Sequence, residues 1–419
     1  MKVIVSNPSV SPHVKENIKA YYDSGKLRAF FTSLICHLDS FITQTLFKIK
    51  FLRIEIIKRE FSAIPLAIIK TRPFPEIIRT IASRKLNPLF TDKVWEWSEL
   101  GFDQWVSKKL KKFRPDIIHT YEHAALATLK AASQLAIFKV YEQSSPHHKS
   151  FSKTIHIQYK IYPELKTPST AILLNDLAKK RNQRRDQELI LADLILCNSK
   201  FTQKTLIDAG INEAKIAILP LGFPLPIKKI TDYQLNKPIK FLYCGNQSIL
   251  KGVHLLLKAW KELSPHVRQA ELYFIGSTNE DLHRDTSHLK NIFSMGRMTH
   301  DELMKKYKDF DVFILPTLGD GFGMVVTEAM SQGVPVITTT NSCGPDIIEH
   351  GKEGWIIEPN SIPAIKNQIQ WIINNREQLN VFKQAALEKS KQWQWSDYRK
   401  ALNQLIETKW KEHQVRKSV

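Results

Sequence analysis

Short apolar runs recur through the second half of the chain, each closed by glycine, proline or charge. They read "IKFLYCG" (Ile239–Gly245), "AELYFIG" (Ala270–Gly276), "NIFSMG" (Asn291–Gly296), "DVFILP" (Asp311–Pro316), "VPVITT" (Val334–Thr339) and "EGWIIEP" (Glu353–Pro359). None alternates cleanly between polar and apolar, as a strand with one wet face would. Segments with helical spacing, such as "GVHLLLKAWKEL" and "HDELMKKYKDF", lie between most of them. Strands apolar on both faces, alternating with helices, predict a parallel sheet covered on both sides. That is a doubly wound α/β domain.

The first half repeats the theme less regularly. "KVIVS" opens it, and "PDIIHT" (Pro115–Thr120), "FKVYEQ" (Phe138–Gln143), "ADLILCNS" (Ala192–Ser199) and "KIAILPLG" (Lys215–Gly222) continue it. Residues 30–84 fit a helical insertion better than strands. The proline-rich, polar stretch 226–238 reads as a linker. With 419 residues, more than one core usually serves, two domains are expected, over 1–225 and 239–392. A cleft between two such domains is a common place for a small-molecule site.

Strand 311–315 delivers the chain to its carboxyl edge, where ligands bind in parallel sheets. "TLGDGFGM" follows, then a helix starting near Val325. Gly321 and Gly323 let the backbone turn and approach a ligand, and the first helical turn offers N–H groups to an anion. Glu328, expected on that turn, suits a ribose diol, and Asp320 the hydroxyls of a second sugar. "CGNQSILKGVHLLLKAW" repeats the device, with Lys251 placed to share a phosphate charge.

These segments resemble the retaining GT-B glycosyltransferases, specifically glycosyltransferase family 4. "DGFGMVVTEA" looks like that family's E-x7-E element, and "CGNQSILKGVHLLLKAW" like its glycine-arginine and lysine-glycine loop. "FSMGRMTHDELMKKYKDFDVFILPT", "NSCGPDIIEHGKEGWIIEP" and the run from Glu188 to Gly222 follow in the family's order. The resemblance implies two Rossmann-like domains around an interdomain cleft, with a nucleotide sugar on the C-terminal domain and an acceptor on the N-terminal one. The implied donor-binding set is Gly245, Asn246, Lys251, Met298, Asp320, Gly321, Phe322, Gly323, Met324, Val325 and Glu328. Asp320, Lys251, Glu122 and His123 are the implied catalytic group, and His13, His147 and His148 face the acceptor. Residues 393–419 resemble the terminal helix that crosses back to the first domain.

Two departures stand out. Asn246 occupies the place of the family's usual arginine; an unreplaced charged contact there costs on the order of 1.5–3 kcal/mol. Asp320 replaces the commoner glutamate and is one methylene shorter. The implied mechanism is a front-face displacement that retains anomeric configuration, with the leaving diphosphate helping to take the acceptor proton. Neither cofactor nor metal is expected. "DFD" (Asp309–Asp311) has a metal-binding spacing but precedes its strand, at the wrong edge of the sheet. His147 and His148 alone do not make a zinc site.

Hydrophobic content of 43% and charged content of 24% exclude a disordered chain. Net charge is +20, and residues 1–225 hold 35 Lys and Arg against 20 Asp and Glu. Three clusters carry the excess: Leu46–Glu60, Ser107–Arg114 and "KKRNQRR" (Lys179–Arg185). A solvated face accounts for them, as does an anionic membrane surface; no nucleic-acid motif accompanies them. The first cluster interleaves cations with bulky apolar residues as an interfacial helix would. Scattered cysteines, a short apolar start and no long apolar run lead to the expectation of a cytoplasmic protein, peripheral on the inner membrane face. A lipid-linked or cell-envelope glycan is the expected acceptor.

Overall fold

The computed structural model describes residues 1–39, 43, 59–263, 269–277, 289 and 291–418. Among them, β1 (Val3–Ser6), β2 (Leu27–Thr32), β3 (Ile69–Thr71), β4 (Ile117–Tyr121), β5 (Phe138–Gln143), β6 (Leu194–Cys197) and β7 (Ile216–Ile218) form one sheet. Their order is β3-β2-β1-β4-β5-β6-β7. A second sheet, β10-β9-β8-β11-β12-β13, contains β8 (Ile239–Cys244), β9 (Ala270–Ile275), β10 (Ile292–Ser294), β11 (Val312–Leu315), β12 (Val336–Thr339) and β13 (Gly354–Ile357). All the pairings in both sheets are parallel. Every side chain of β1, β4, β11 and β12 is buried, as expected of mostly apolar strands covered on both faces. The fold is GT-B, two Rossmann-like domains.

Strand order reverses between β1 and β4 in the first sheet and between β8 and β11 in the second. Crevices open at the carboxyl ends of such switch points. The chain leaving β1 and β4 carries His13, Glu122 and His123; the chain leaving β8 and β11 carries Lys251 and Asp320.

The expected helical insertion over 30–84 is corrected at its described ends. "LRAFFT" forms β2 beside β1, and "IKT" forms β3 at the edge. Within that stretch, Pro73–Lys85 is helical (α2, after α1 at Pro12–Asp23), and α3 (Pro88–Phe113) follows it. Asn87 caps α3 by accepting from the Phe90 N–H at 2.9 Å, with Pro88 at the first helical position. Most of the Leu46–Glu60 cluster lies outside the described residues.

"KKRNQRR" is also corrected: its arginines are not a solvated or membrane-facing surface. They lie on α4 (Asp176–Leu191), where Arg181, Arg184 and Arg185 are buried. Arg181 bonds Asp92 at 2.7 Å and Glu96 at 2.8 Å, Arg184 bonds Glu96, and Arg185 bonds Glu122 at 2.6 Å. The charges staple α4 to α3 and to the end of β4. Of its cations, only Lys179 and Lys180 stay exposed.

The chain passes between domains twice, side by side. At Phe223 its N–H donates to the Trp393 carbonyl at 2.9 Å, and the Trp393 indole donates to the Pro220 carbonyl at 3.0 Å. A Cβ on Gly222 would lie 2.5 Å from the Trp395 nitrogen, so only glycine fits there. Past α5 (His300–Lys306) and α6 (Met324–Ser331), the last helix, α7 (Trp395–Ser418), returns to α1. There the buried Tyr398 hydroxyl donates to Asn17 Oδ1 at 2.7 Å.

Candidate active site between the two sheets

The loops leaving β8 and β11 are laced together. Leu318 N–H donates to the Leu250 carbonyl at 2.7 Å, and the Thr317 hydroxyl to the same oxygen at 2.9 Å. Gly252, at φ +70°, brings its backbone so close to Pro316 that a Cβ would sit 2.0 Å from that carbonyl. This packing sets Lys251 Nζ against Asp320 Oδ2 in a direct ion pair. Asp320 is held from behind by its N–H, which donates to the Asn341 carbonyl at 2.9 Å.

Gly323, at φ +88°, caps α6 in the left-handed region and stands beside the Asp320 carboxylate. Met324 and Val325 begin the helix, whose first-turn N–H groups no helical carbonyl can reach. Because α6 starts at Met324, Glu328 falls on its second turn, not its first. It is buried, accepting from the Tyr307 hydroxyl at 3.2 Å and lying 3.3 Å from His300 Nε2. That hydrogen bond raises the pKa of the half-exposed His300. Sequence reasoning passed over His300, although the capping box Thr299–Glu302 marked the start of α5 next to it. Met298 packs on the core beside that start.

Asn246 supplies no cation. Its Oδ1 accepts from the Ser277 hydroxyl at 2.7 Å, and its carbonyl from the Tyr243 hydroxyl at 2.8 Å. Gly245 closes against Gly276, where a Cβ would lie 2.1 Å from the Gly245 carbonyl.

Gly321 serves a partner other than the one expected. A Cβ there would meet the Ser144 carbonyl of the other domain at 1.8 Å, and the Gly321 carbonyl accepts from Ser199 Oγ at 2.6 Å and Thr202 Oγ1 at 3.1 Å. Phe322 is buried behind it. The loop leaving β11 is thus docked on the first domain, and Ser144 is the meeting point, because it also lines the cavity beyond.

That cavity, about 300 Å³, gathers His13, Trp95, Glu99, Glu122 and His123. His13 Nε2 lies 3.4 Å from Ser144 Oγ and 3.7 Å from the wholly buried Glu142. Burial lowers the His13 pKa. Glu142 also bonds His119 at 3.0 Å and Asn17 at 2.6 Å, so the His119 of the strand is core. Glu122 accepts from Arg185 and from Ser145 Oγ at 2.8 Å. Its carboxyl titrates below the usual range, since those partners outweigh burial.

His123 takes φ +82°, a left-handed conformation rare for a residue with a Cβ. Burial, reinforced by Arg185, drops its pKa to about 3, so the ring is neutral at physiological pH. Glu99 is the opposite case: burial pushes its carboxyl up to about 8, leaving it a neutral acid at pH 7.

His147 and His148 are brought together but not into this cavity's lining. Both approach Asp186 Oδ1 through Nε2, at 3.2 and 2.6 Å, the three ligand atoms lying within 4.8 Å of one another. They tie the start of the helix His148–Ile161 to α4. Asp309 and Asp311 line a separate cavity of about 400 Å³ at the amino edge of the second sheet, where Asp311 accepts from the Lys240 N–H at 3.0 Å. The four cysteines are free and buried.

Known proteins resemble this arrangement. A family described as "Glycosyl transferases group 1" matches residues 228–389, and "Glycosyltransferase Family 4" matches 69–225. Sulfoquinovosyl transferase SQD2 of Arabidopsis thaliana is 24% identical over 327 residues, 76% of this chain and 61% of the relative. The capsular polysaccharide biosynthesis glycosyltransferase CapM of Staphylococcus aureus is 27% identical over 201 residues, 44% of this chain and 52% of CapM. The chain therefore spans between half and two thirds of these two relatives. Sucrose-phosphate synthase from Thermosynechococcus elongatus superposes with a TM-score of 0.64 at 15% identity, covering 97% of this chain and 99% of that one. HepE from Anabaena, in complex with UDP-glucose, gives 0.63 at 15% identity over 97% and 100%. Identities this low speak for the fold alone.

Proposed function

From a chain that belongs to the GT-B glycosyltransferases, its two halves matched by the group 1 and family 4 descriptions, we propose transfer of a sugar from a nucleotide-sugar donor to a lipid-linked or cell-envelope glycan. The transfer retains anomeric configuration and needs no divalent metal. The observation that carries the reading is the Lys251–Asp320 pair, set where the donor loops meet the cavity of the other domain at Ser144.

Each group has a role its chemistry allows. Lys251 and the first turn of α6 stabilise the leaving diphosphate, whose charge grows as the glycosidic bond breaks. Asp320 accepts from donor-sugar hydroxyls once the ligand displaces it from Lys251. Glu328 accepts from the ribose diol, with His300 and Tyr307 fixing its orientation, and Met298 lies toward the base. His123, neutral and held by a strained backbone, orients an acceptor hydroxyl, and Glu122 keeps the Arg185 charge compensated rather than moving a proton. His13 borders the same acceptor space. The work is positioning and charge stabilisation, with no covalent nucleophile from the protein. The described residues include no helix long and apolar enough to cross a membrane, and we place the protein on the inner membrane face, where its acceptor would lie.

A second reading, binding without transfer, draws on Asn246, whose amide engages Ser277 where the family keeps a cation. Incubation with UDP- and GDP-sugars in chelator, following nucleotide release and the anomeric configuration of the product by NMR, decides between them. Saturable binding with no release supports the second reading. An inverted product, or release only on adding a divalent ion, overturns the mechanism.

A further inference from the structure

The hairpin of α2 and α3 has two unlike faces. Its inner face supplies Glu76, Arg79, Trp95, Ser98 and Glu99 to the acceptor-side cavity. Its outer face is apolar and exposed. Among the described residues, nine of the 21 exposed large hydrophobic side chains fall between Leu66 and Leu100. Phe74, Ile77 and Ile81 follow helical spacing on α2, with Phe74 68% exposed. At the turn, the five residues Leu86 to Phe90 are all exposed, so the tip projects from the body. Thr91 Oγ1 donates to the Ala82 carbonyl at 3.2 Å and locks the two helices together behind it. An apolar surface of this kind on a folded protein marks something it binds.

Charge along α3 says what that is. The exposed positions Phe90, Lys93, Trp97, Leu100, Gln104, Lys108 and Lys111 step by three or four residues and so share one stripe. The stripe is mostly apolar at the tip and basic at the far end. Trp97 to Lys108 is eleven residues, or about 16 Å along the helix. That separation suits side chains buried in an acyl boundary with ammonium groups among the phosphates above it. A bilayer also needs no matching shape, only depth and anionic charge, which suits a projecting tip better than it suits a protein partner.

We propose that the α2–α3 tip inserts into an anionic lipid surface and brings the bilayer to the mouth of the acceptor cavity. The acceptor is then an amphiphile whose polar head enters beside Glu99 and His123 while its apolar part stays in the membrane. This rests on the acceptor reading given above. The Leu46–Glu60 segment, for which the sequence suggested an interfacial role, lies mostly outside the described residues.

Flotation with vesicles of phosphatidylcholine alone, or with about a third phosphatidylglycerol, tests the proposal. Wild type is expected to float with the anionic vesicles and roughly 10-fold less with the neutral ones, since each near-surface cation contributes several-fold in binding. Leu89→Ser/Phe90→Ser should lose at least roughly 10-fold on the anionic vesicles, and Lys108→Glu/Lys111→Glu should erase the lipid preference. Thermal stability and nucleotide release from the donor in solution should stay at wild-type levels in both. Wild type left at the bottom of the gradient overturns the proposal. So does an apolar variant that floats like wild type, or light scattering that shows a wild-type dimer split by that variant, which would make the face a contact between two copies. Loss of donor hydrolysis in wild type itself would instead strike at the glycosyl-transfer reading.

Discussion

The Lys251 ammonium and the Asp320 carboxylate bind each other where the two donor loops meet. Each is partly exposed, so the pair adds little to stability, and a bound diphosphate and sugar would give each a new partner. Lys251→Ala is expected to lower nucleotide release by roughly 10²–10³-fold, the scale of removing one preorganised charge from a transition state, with little change in melting temperature. Asp320→Ala should cut transfer while leaving affinity for the free nucleotide near wild type. Calorimetric titration with UDP and GDP beside steady-state kinetics checks both.

The proposed role of Glu328 is tested on the nucleotide half of the donor. Glu328→Ala should weaken nucleotide binding roughly 10-fold, the value of about one charged hydrogen bond. Its His300 contact adds a pH signature. The folded-state pKa of His300 lies above its ordinary value because of Glu328. The stabilisation is therefore complete below the unfolded value of about 6.5 and fades as pH climbs through the raised one. Wild type should melt above His300→Ala in mild acid, with the gap closing in alkali.

Glu99 has the reverse consequence. Its carboxyl binds a proton up to about pH 8 in the folded protein, against an ordinary 4.5. The unfolded chain releases that proton earlier, so this group's contribution is greatest at or below about pH 4.5 and declines between there and about pH 8. Glu99→Gln, which keeps the shape and stays neutral, should match wild type near pH 5 and melt higher near pH 9. Scanning calorimetry across that range measures it.

Gly321 couples the loop after β11 to the first domain. A methyl group there would collide with the Ser144 carbonyl of the other domain. Gly321→Ala should leave nucleotide affinity intact and lower transfer by about 10²-fold, because the reacting groups can no longer approach. Ser199→Ala, which removes one donor to the Gly321 carbonyl, should lie between it and wild type.

Arg184 binds the Glu96 carboxylate and, at 2.9 Å, the carbonyl of His123. Both side chains of the ion pair are nearly buried, but Arg181 still holds Glu96 when Arg184 is removed, so Arg184→Ala should cost about 1.5–3 kcal/mol in chemical denaturation, the value of a charged hydrogen bond. The left-handed backbone of His123 loses a support at the same time.

These relationships differ in how far the sequence disclosed them. The second sheet was legible throughout, because strands covered on both faces are mostly apolar, as all of β11 and the first two residues of β12 are. β2 and β3 were not. "LRAFFT" has an arginine and an alanine among its first three residues, and the three residues of β3 take their strand character from a neighbour 39 positions away, as in Phe30 beside Ile69. Local pattern carries no record of such a partner. "KKRNQRR" displayed its charge but not Asp92 and Glu96, whose distance along the chain hides that arginines meet acids inside. Lys251 and Asp320 were found because each sits at a strand exit with a glycine to shape the turn. Gly321 was found for the wrong reason: its neighbour is the Ser144 carbonyl, which no loop pattern announces.

The paired crossings at Phe223 and Trp393 bear on motion as well as architecture. One tether would let the halves swing freely in every direction. Two, bonded to each other through a backbone hydrogen bond and an indole, narrow the rotations open to the halves. The Gly321–Ser144 contact then limits how much further the halves can close on each other.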